Sequence, residues 1–268
     1  MSDKLTQRLR TAAPFVAIAI AAPLLLLIEY GPPLTDDAVL RPIMQMTLTR
    51  ALAAAVFFVI FLMQGYHVLQ PFRRPFGKSL LWILPPLAVV INNLPIFSLL
   101  SGDAYLIHTD ANYLIWFALE CLAIGLFEEI TFRGVILLRF AEKRRTTHAG
   151  LLLSILLTSA VFGAMHLINL FAGAGLPGVL MQIGYSFLIG AMCAVVMFKT
   201  ANLWLCVALH AIYDFCGMLL PTLGGGTWWD TPTVIFTAVL AVATTIYMVV
   251  LFVRMKPAEL DRIYQKTE

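Results

Sequence analysis

The chain has 268 residues, of which 60% are hydrophobic and 12% charged; soluble domains carry about 25% charged residues, so a soluble globular protein is excluded in favour of a polytopic membrane protein. The formal charge of +3 is scattered over short loops rather than gathered in a basic domain, which argues against nucleic-acid binding.

The first apolar run, about 12–30, follows Lys4, Arg8 and Arg10. It is longer than the apolar core of a signal peptide and ends without a clear A-x-A cleavage site, so it reads as a retained first helix. Windows of about 20 apolar residues, each enough to cross a bilayer, then recur at 46–66, 80–100, 112–140, 149–170, 177–198, 203–220 and 232–254. The expectation is an all-α transmembrane bundle of about eight spanning helices, one integral membrane domain over 1–268. The fourth run is long enough to tilt in the bilayer or project from it.

Lys and Arg fall mainly in alternate loops: Arg73, Arg74 and Lys78 after the second run, Arg139, Lys143, Arg144 and Arg145 after the fourth, Lys199 after the sixth, and Arg254, Lys256, Arg262 and Lys266 after the last. The other loops carry Asp36, Asp37, Asp103, Asp110 and Asp230, with Arg41 and Arg50 as exceptions. By the positive-inside rule both termini are cytoplasmic, and the expected location is the bacterial plasma membrane.

Turn-forming residues separate the runs at 31–33, Pro71, 172–178 and Gly224-Gly225-Gly226. Trp228 and Trp229 suit an interfacial anchor. Pro85-Pro86 and Asn92-Asn93-Leu94-Pro95 lie inside the third run; the prolines predict a kink, and the asparagines predict hydrogen bonds to neighbouring helices. Cys121, Cys193, Cys206 and Cys216 sit in apolar segments without zinc-site or CxxC spacing and read as small buried side chains.

Three runs carry ionisable groups away from their ends: Glu128, Glu129 and Arg133 in the fourth, His166 in the fifth, His210 and Asp214 in the seventh. An acidic or basic residue at mid-helix costs roughly 2.5–3.5 kcal/mol on insertion scales, so such groups face a bundle interior and mark a site. Glu129 and Arg133 stand i,i+4 and are expected to pair, leaving Glu128, ~100° round the helix, free for another role. His210 and Asp214 are also i,i+4, which lets the carboxyl orient the imidazole. Phe162 and His166 share a face, with Gly163 and Ala164 permitting close helix contact. Such groups suit hydrolysis, with a carboxylate activating water and an imidazole holding it or stabilising an oxyanion. They also suit a metal, a proton relay, or structural pairing alone. HExxH, G-x-S-x-G and Walker motifs are absent from the sequence.

Glu-Glu-x-x-x-Arg at Glu128, Glu129 and Arg133, Phe-x-x-x-His at Phe162 and His166, and Asn202-Leu203-Trp204 leading to His210 and Asp214 resemble the CPBP family. These are the CAAX-protease and bacteriocin-processing membrane proteins, also called ABI, which include type II CAAX prenyl endopeptidases. The likeness spans about 112–220. It implies an intramembrane endopeptidase with a buried site open to the cytoplasm. Carried over, Glu128 is the general base, His166 positions the water, His210 and Asp214 stabilise the oxyanion, and Glu129 and Arg133 support them. Many relatives have Asn where this chain has Asp214, and an ionised carboxylate accepts hydrogen bonds but cannot donate one; Asp214 then acts protonated, by orienting His210, or as a metal ligand.

The resemblance implies no cofactor under a glutamate-protease mechanism and leaves a divalent metal such as zinc as the alternative. It implies a protein or peptide substrate, prenylated if processing is of the CAAX type, met within the lipid bilayer. A non-catalytic scaffold or bacteriocin-immunity protein is the competing expectation, and a proton-coupled transporter a third. The lack of an inverted repeat counts against the transporter.

Overall fold

The computed structural model describes residues 23, 27, 28, 31–69, 76–227 and 229–264. Most of the first expected helix, the basic residues Lys4, Arg8, Arg10, Arg73, Arg74 and Lys266, and Trp228 lie outside the described residues.

Among the described residues the chain is helical almost throughout: α1 (Leu40–Gln64), α2 (Phe76–Asn92), α3 (Ile96–Ser101), α4 (Ala111–Glu129), a π-helical segment (Ile130–Leu137), α5 (Leu138–Glu142), α6 (His148–Met165), a 3-10 segment (His166–Leu170), α7 (Leu176–Thr200), α8 (Leu203–Leu223), α9 (Thr231–Arg254), a 3-10 turn (Pro257–Leu260) and α10 (Asp261–Tyr264). Five of these stretches, Leu40–Gln64, His148–Leu170, Leu176–Thr200, Leu203–Leu223 and Thr231–Arg254, are long and apolar enough to cross a membrane. The chain is an integral membrane protein. These five correspond to the second, fifth, sixth, seventh and eighth expected runs.

The third expected run departs from a single long helix. Pro85 and Pro86 lie inside α2, but the helix stops at Asn92 and resumes as the short α3. Pro95 disfavours helical backbone at the residue before it, so the break comes there. The released asparagines tie the neighbouring helices together as expected. Asn92 Nδ2 donates to Thr237 Oγ1 at 2.8 Å, and Asn93 Nδ2 donates to the Tyr213 carbonyl at 2.9 Å. The fourth run is likewise divided into α4, the π segment and α5 in direct succession.

A small antiparallel pair departs from the all-helical expectation. β1 (Ala104–Leu106) pairs with β2 (Gly224–Gly226), Ala104 opposite Gly226 and Leu106 opposite Gly224. The glycines read as a loop also let two backbones meet: a Cβ at Gly224 would fall 2.5 Å from the Tyr105 carbonyl oxygen.

Helix boundaries follow capping chemistry. Asn202 Oδ1 accepts from Trp204 N at 2.9 Å and starts α8, while Thr147 Oγ1 accepts from Gly150 N and starts α6. α4 packs against α1 on one side and α8 on the other, and α6 packs against α7. Phe61, Leu137, Leu151, Phe198, Leu203 and Leu209 are among the side chains of the main core. The most hydrophobic stretch of α9 is only 17% buried against 50% for α7, so α7 is central and α9 turns an apolar face outward to lipid. All four cysteines are buried and free, as expected of small apolar side chains.

The last described residues fold back on the bundle. Leu260 and Ile263 are fully buried, His67 N donates to the Ile263 carbonyl at 2.9 Å, and the Tyr264 hydroxyl donates to the Leu138 carbonyl at 3.0 Å.

Candidate active site

The site begins where α4 ends. Glu128 and Glu129 are its last two residues, and the π segment opens at Ile130. π turns inside helices are rare and concentrate at functional sites; here the change of pitch falls between the two carboxylates and Arg133. Gly125 brings this end of α4 against α8. A Cβ at that position would stand 3.1 Å from both Ala211 N and Val207 O, so the two backbones pass in contact one helical turn from Glu129 and beside His210.

Glu129 is fully enclosed. Its Oε1 lies 2.6 Å from His210 Nδ1 and 2.8 Å from Arg133 Nη1, so the expected i,i+4 pair is formed and a second partner is added from α8. An ionised carboxylate only accepts, which puts the Nδ1 proton of His210 in that contact. Arg133 approaches outside the hydrogen-bond angle: Nη1 and Nη2 are both buried without a hydrogen-bond partner among the protein atoms, as is Glu129 Oε2. The Arg133–Glu129 attraction is therefore mainly that of two close, poorly solvated charges, strengthened by the low local dielectric.

The other imidazole nitrogen, His210 Nε2, stands 3.3 Å from Glu128 Oε2 and 3.6 Å from Asp214 Oδ2. Three carboxylates thus converge on one buried histidine. The Glu128 and Asp214 side chains keep 13% of their exposure, against none for Glu129. The adjacent glutamates consequently differ: Glu129 is locked between two cations or cation-forming groups, and Glu128 retains access to the surrounding space. The carboxyl nearest the His210 ring is Glu129, and Asp214, expected from its i,i+4 spacing to orient the imidazole, makes the longest of the three contacts.

His166 is placed differently. It opens the 3-10 segment, half-buried, with Nδ1 3.2 Å from the Phe162 carbonyl oxygen. The described carboxylates pair with His210 rather than His166. What joins the histidines is the Phe162 ring, edge-on to His166 at 5.4 Å and to His210 at 5.9 Å, with the Arg133 guanidinium 4.6 Å from its centre. Gly163 makes the expected close helix contact, since a Cβ there would lie 2.8 Å from the Ile183 carbonyl oxygen, whereas Ala164 is exposed. Among the described residues no group of three or more His, Cys, Asp and Glu is arranged to hold a metal ion.

Sequence reasoning passed over several neighbours. Glu120 on α4 is buried, with Oε2 lacking a hydrogen-bond partner in the protein; an acidic residue in the middle of an apolar run was the available signal. Tyr185 on α7 lies 6.0 Å, ring to ring, from Tyr213, the neighbour of Asp214. Gly190 lies against the Arg133 guanidinium and the Ser159 hydroxyl, and nothing in the spacing of Ser159 and Gly190 marked them.

Residues 110–216 match the model of a family described as Rce1-like, type II CAAX prenyl endopeptidase. The matched stretch is short of half the chain and contains every one of Glu128, Glu129, Arg133, Phe162, His166, His210 and Asp214. The resemblance carried by the three motifs is borne out by this match. No curated protein and no solved structure matches the chain.

Proposed function

We propose that this chain is an intramembrane endopeptidase that hydrolyses a peptide bond with water activated by Glu128. The observation that carries the reading is the division of labour between adjacent glutamates: Glu129 is buried and committed to Arg133 and His210, while Glu128 is partly exposed and faces His210 Nε2 at 3.3 Å.

In this mechanism Glu128 takes a proton from water, and the resulting hydroxide attacks the scissile carbonyl. His210, held by Glu129 through Nδ1, directs Nε2 at the negative charge that develops on the carbonyl oxygen. Glu128 then returns the proton to the departing amine, and the carbon–nitrogen bond breaks. His166, half-buried on the neighbouring helix, positions the water in the role the family resemblance assigns it. Asp214, whose Oδ2 lies 3.6 Å from Nε2, steadies the ring from the side opposite Glu129. The substrate class is a protein or peptide reaching the bundle from the membrane or its cytoplasmic surface, with prenylated C-terminal CAAX sequences as the specific form.

Cleavage of prenylated CaaX peptides and of a mixed peptide library by the purified protein, beside Glu128→Gln, tests the proposal. Cleavage by the parent and none by a folded Glu128→Gln supports it; full activity in the variant removes Glu128 as the base. Activity that is lost on chelation and restored by zinc would favour metal chemistry over the glutamate mechanism. The second reading, a non-catalytic scaffold or immunity protein, draws on the fully buried Glu129–Arg133 pair as structural glue. It predicts that Glu128→Gln keeps the parent phenotype.

A further inference from the structure

Arg133 is a buried guanidinium whose two terminal nitrogens have no hydrogen-bond partner among the protein atoms. It keeps its place through charge and packing: Glu129 Oε1 lies 2.8 Å from one side, and the Phe162 ring lies beneath it at 4.6 Å. The remaining wall is a glycine. A Cβ built on Gly190 of α7 would stand 3.1 Å from Arg133 Nη2, 3.2 Å from Phe162 Cδ1 and 3.2 Å from Ser159 Oγ. Three groups from two other segments, Arg133 of the π segment and Phe162 and Ser159 of α6, therefore crowd one point on α7, and hydrogen alone fits there without displacing them. The Ser159 hydroxyl is also buried and unpartnered within the protein, so it serves as a wall and not as an anchor.

We infer that Gly190 is a positioning residue for the site, acting on His210 through Arg133 and Glu129. A methyl group at 190 pushes the guanidinium by a few tenths of an ångström. Arg133 has no hydrogen bond to hold it against that push, so the displacement passes to Glu129 Oε1, which also holds His210 Nδ1 at 2.6 Å. The backbone conformation of Gly190 is ordinary helix, so the requirement for glycine comes from the room the guanidinium occupies.

The catalytic consequence rests on the proposed endopeptidase activity, and the linkage to Arg133 does not; the test separates them. Thermal unfolding midpoints are measured for the full chain in detergent as parent, Gly190→Ala, Arg133→Ala and the double variant. The expected result is a midpoint lowered by several degrees by Gly190→Ala in the parent, and by less once Arg133 is Ala, because the nearest of the three neighbours is then gone. Equal losses in both backgrounds would overturn the inference and make Gly190 a packing residue only. Should Arg133→Ala fail to fold, Arg133→Met provides the second variant: it keeps an apolar stem in place but lacks Nη2, so Gly190→Ala costs less in that background, and an equal cost counts against the inference. With cleavage measurable, Gly190→Ala lowers kcat about tenfold with KM within about twofold; unchanged kcat overturns the link to His210. A parent that cleaves no peptide, together with the expected pattern of midpoints, refutes the proposed function and leaves the Arg133 linkage standing.

Discussion

Glu129 Oε1 and His210 Nδ1 lie 2.6 Å apart although 81 residues separate them in the chain. The contact links α4 to α8 inside the bundle, and the same oxygen faces Arg133. One buried carboxylate therefore holds together the first and third motifs.

Glu129→Gln is expected to destabilise the fold where Glu128→Gln does not. The amide leaves the Arg133 charge buried without its counter-charge, a loss of about 3–5 kcal/mol by analogy with broken buried ion pairs. Denaturant titration of both variants in mild detergent checks this. Equal stability of the two would show that Arg133 finds compensation elsewhere.

Gly125→Ala is expected to separate α4 from α8. The new methyl meets Ala211 N and Val207 O, both backbone atoms that cannot rotate away. A cost of about 1–3 kcal/mol follows from overpacking, and peptidase activity falls with it because Glu128 and His210 belong to the two helices being pushed apart. Midpoint and activity measured together on this variant decide the point; an unchanged parent-like pair would mean that the crossing is loose.

Asp37 supplies a pH-dependent contribution at the entrance to α1. Tyr113 OH donates to its carboxylate at 2.6 Å, and Leu40 N and Val39 N donate at 2.8 Å each. These bonds, with the Tyr113 hydroxyl foremost, hold the Asp37 carboxyl below its ordinary range. A lowered folded-state pKa means stability that is fully present above the unfolded value of about 3.9 and is lost as pH falls through the folded value. The midpoint difference between parent and Asp37→Ala is expected to be constant near neutrality and to shrink below pH ~4. A difference that persists unchanged to pH 3 would assign the effect to packing.

Much of this was legible in the residues themselves. Helical content follows from apolar runs of spanning length, and the pairing of Glu129 with Arg133 follows from i,i+4 geometry, which depends only on local pitch. The interhelical use of Asn92 and Asn93 follows from the cost of leaving an amide unsatisfied among apolar helices. The likeness of 110–216 to the prenyl endopeptidases was carried by short motifs of fixed order.

What the tertiary structure alone decided is which groups meet. Helical spacing offered Asp214 as the partner of His210; packing through Gly125 brought Glu129 closer, at 2.6 Å against 3.6 Å. The π segment after Glu129 and the crowding at Gly190 have no signature in a linear pattern, and the latter is set by side chains from other segments meeting at one point. Local periodicity places charges on faces of a helix. Only the crossing of those helices determines which charge is buried, which is shared and which is left able to act.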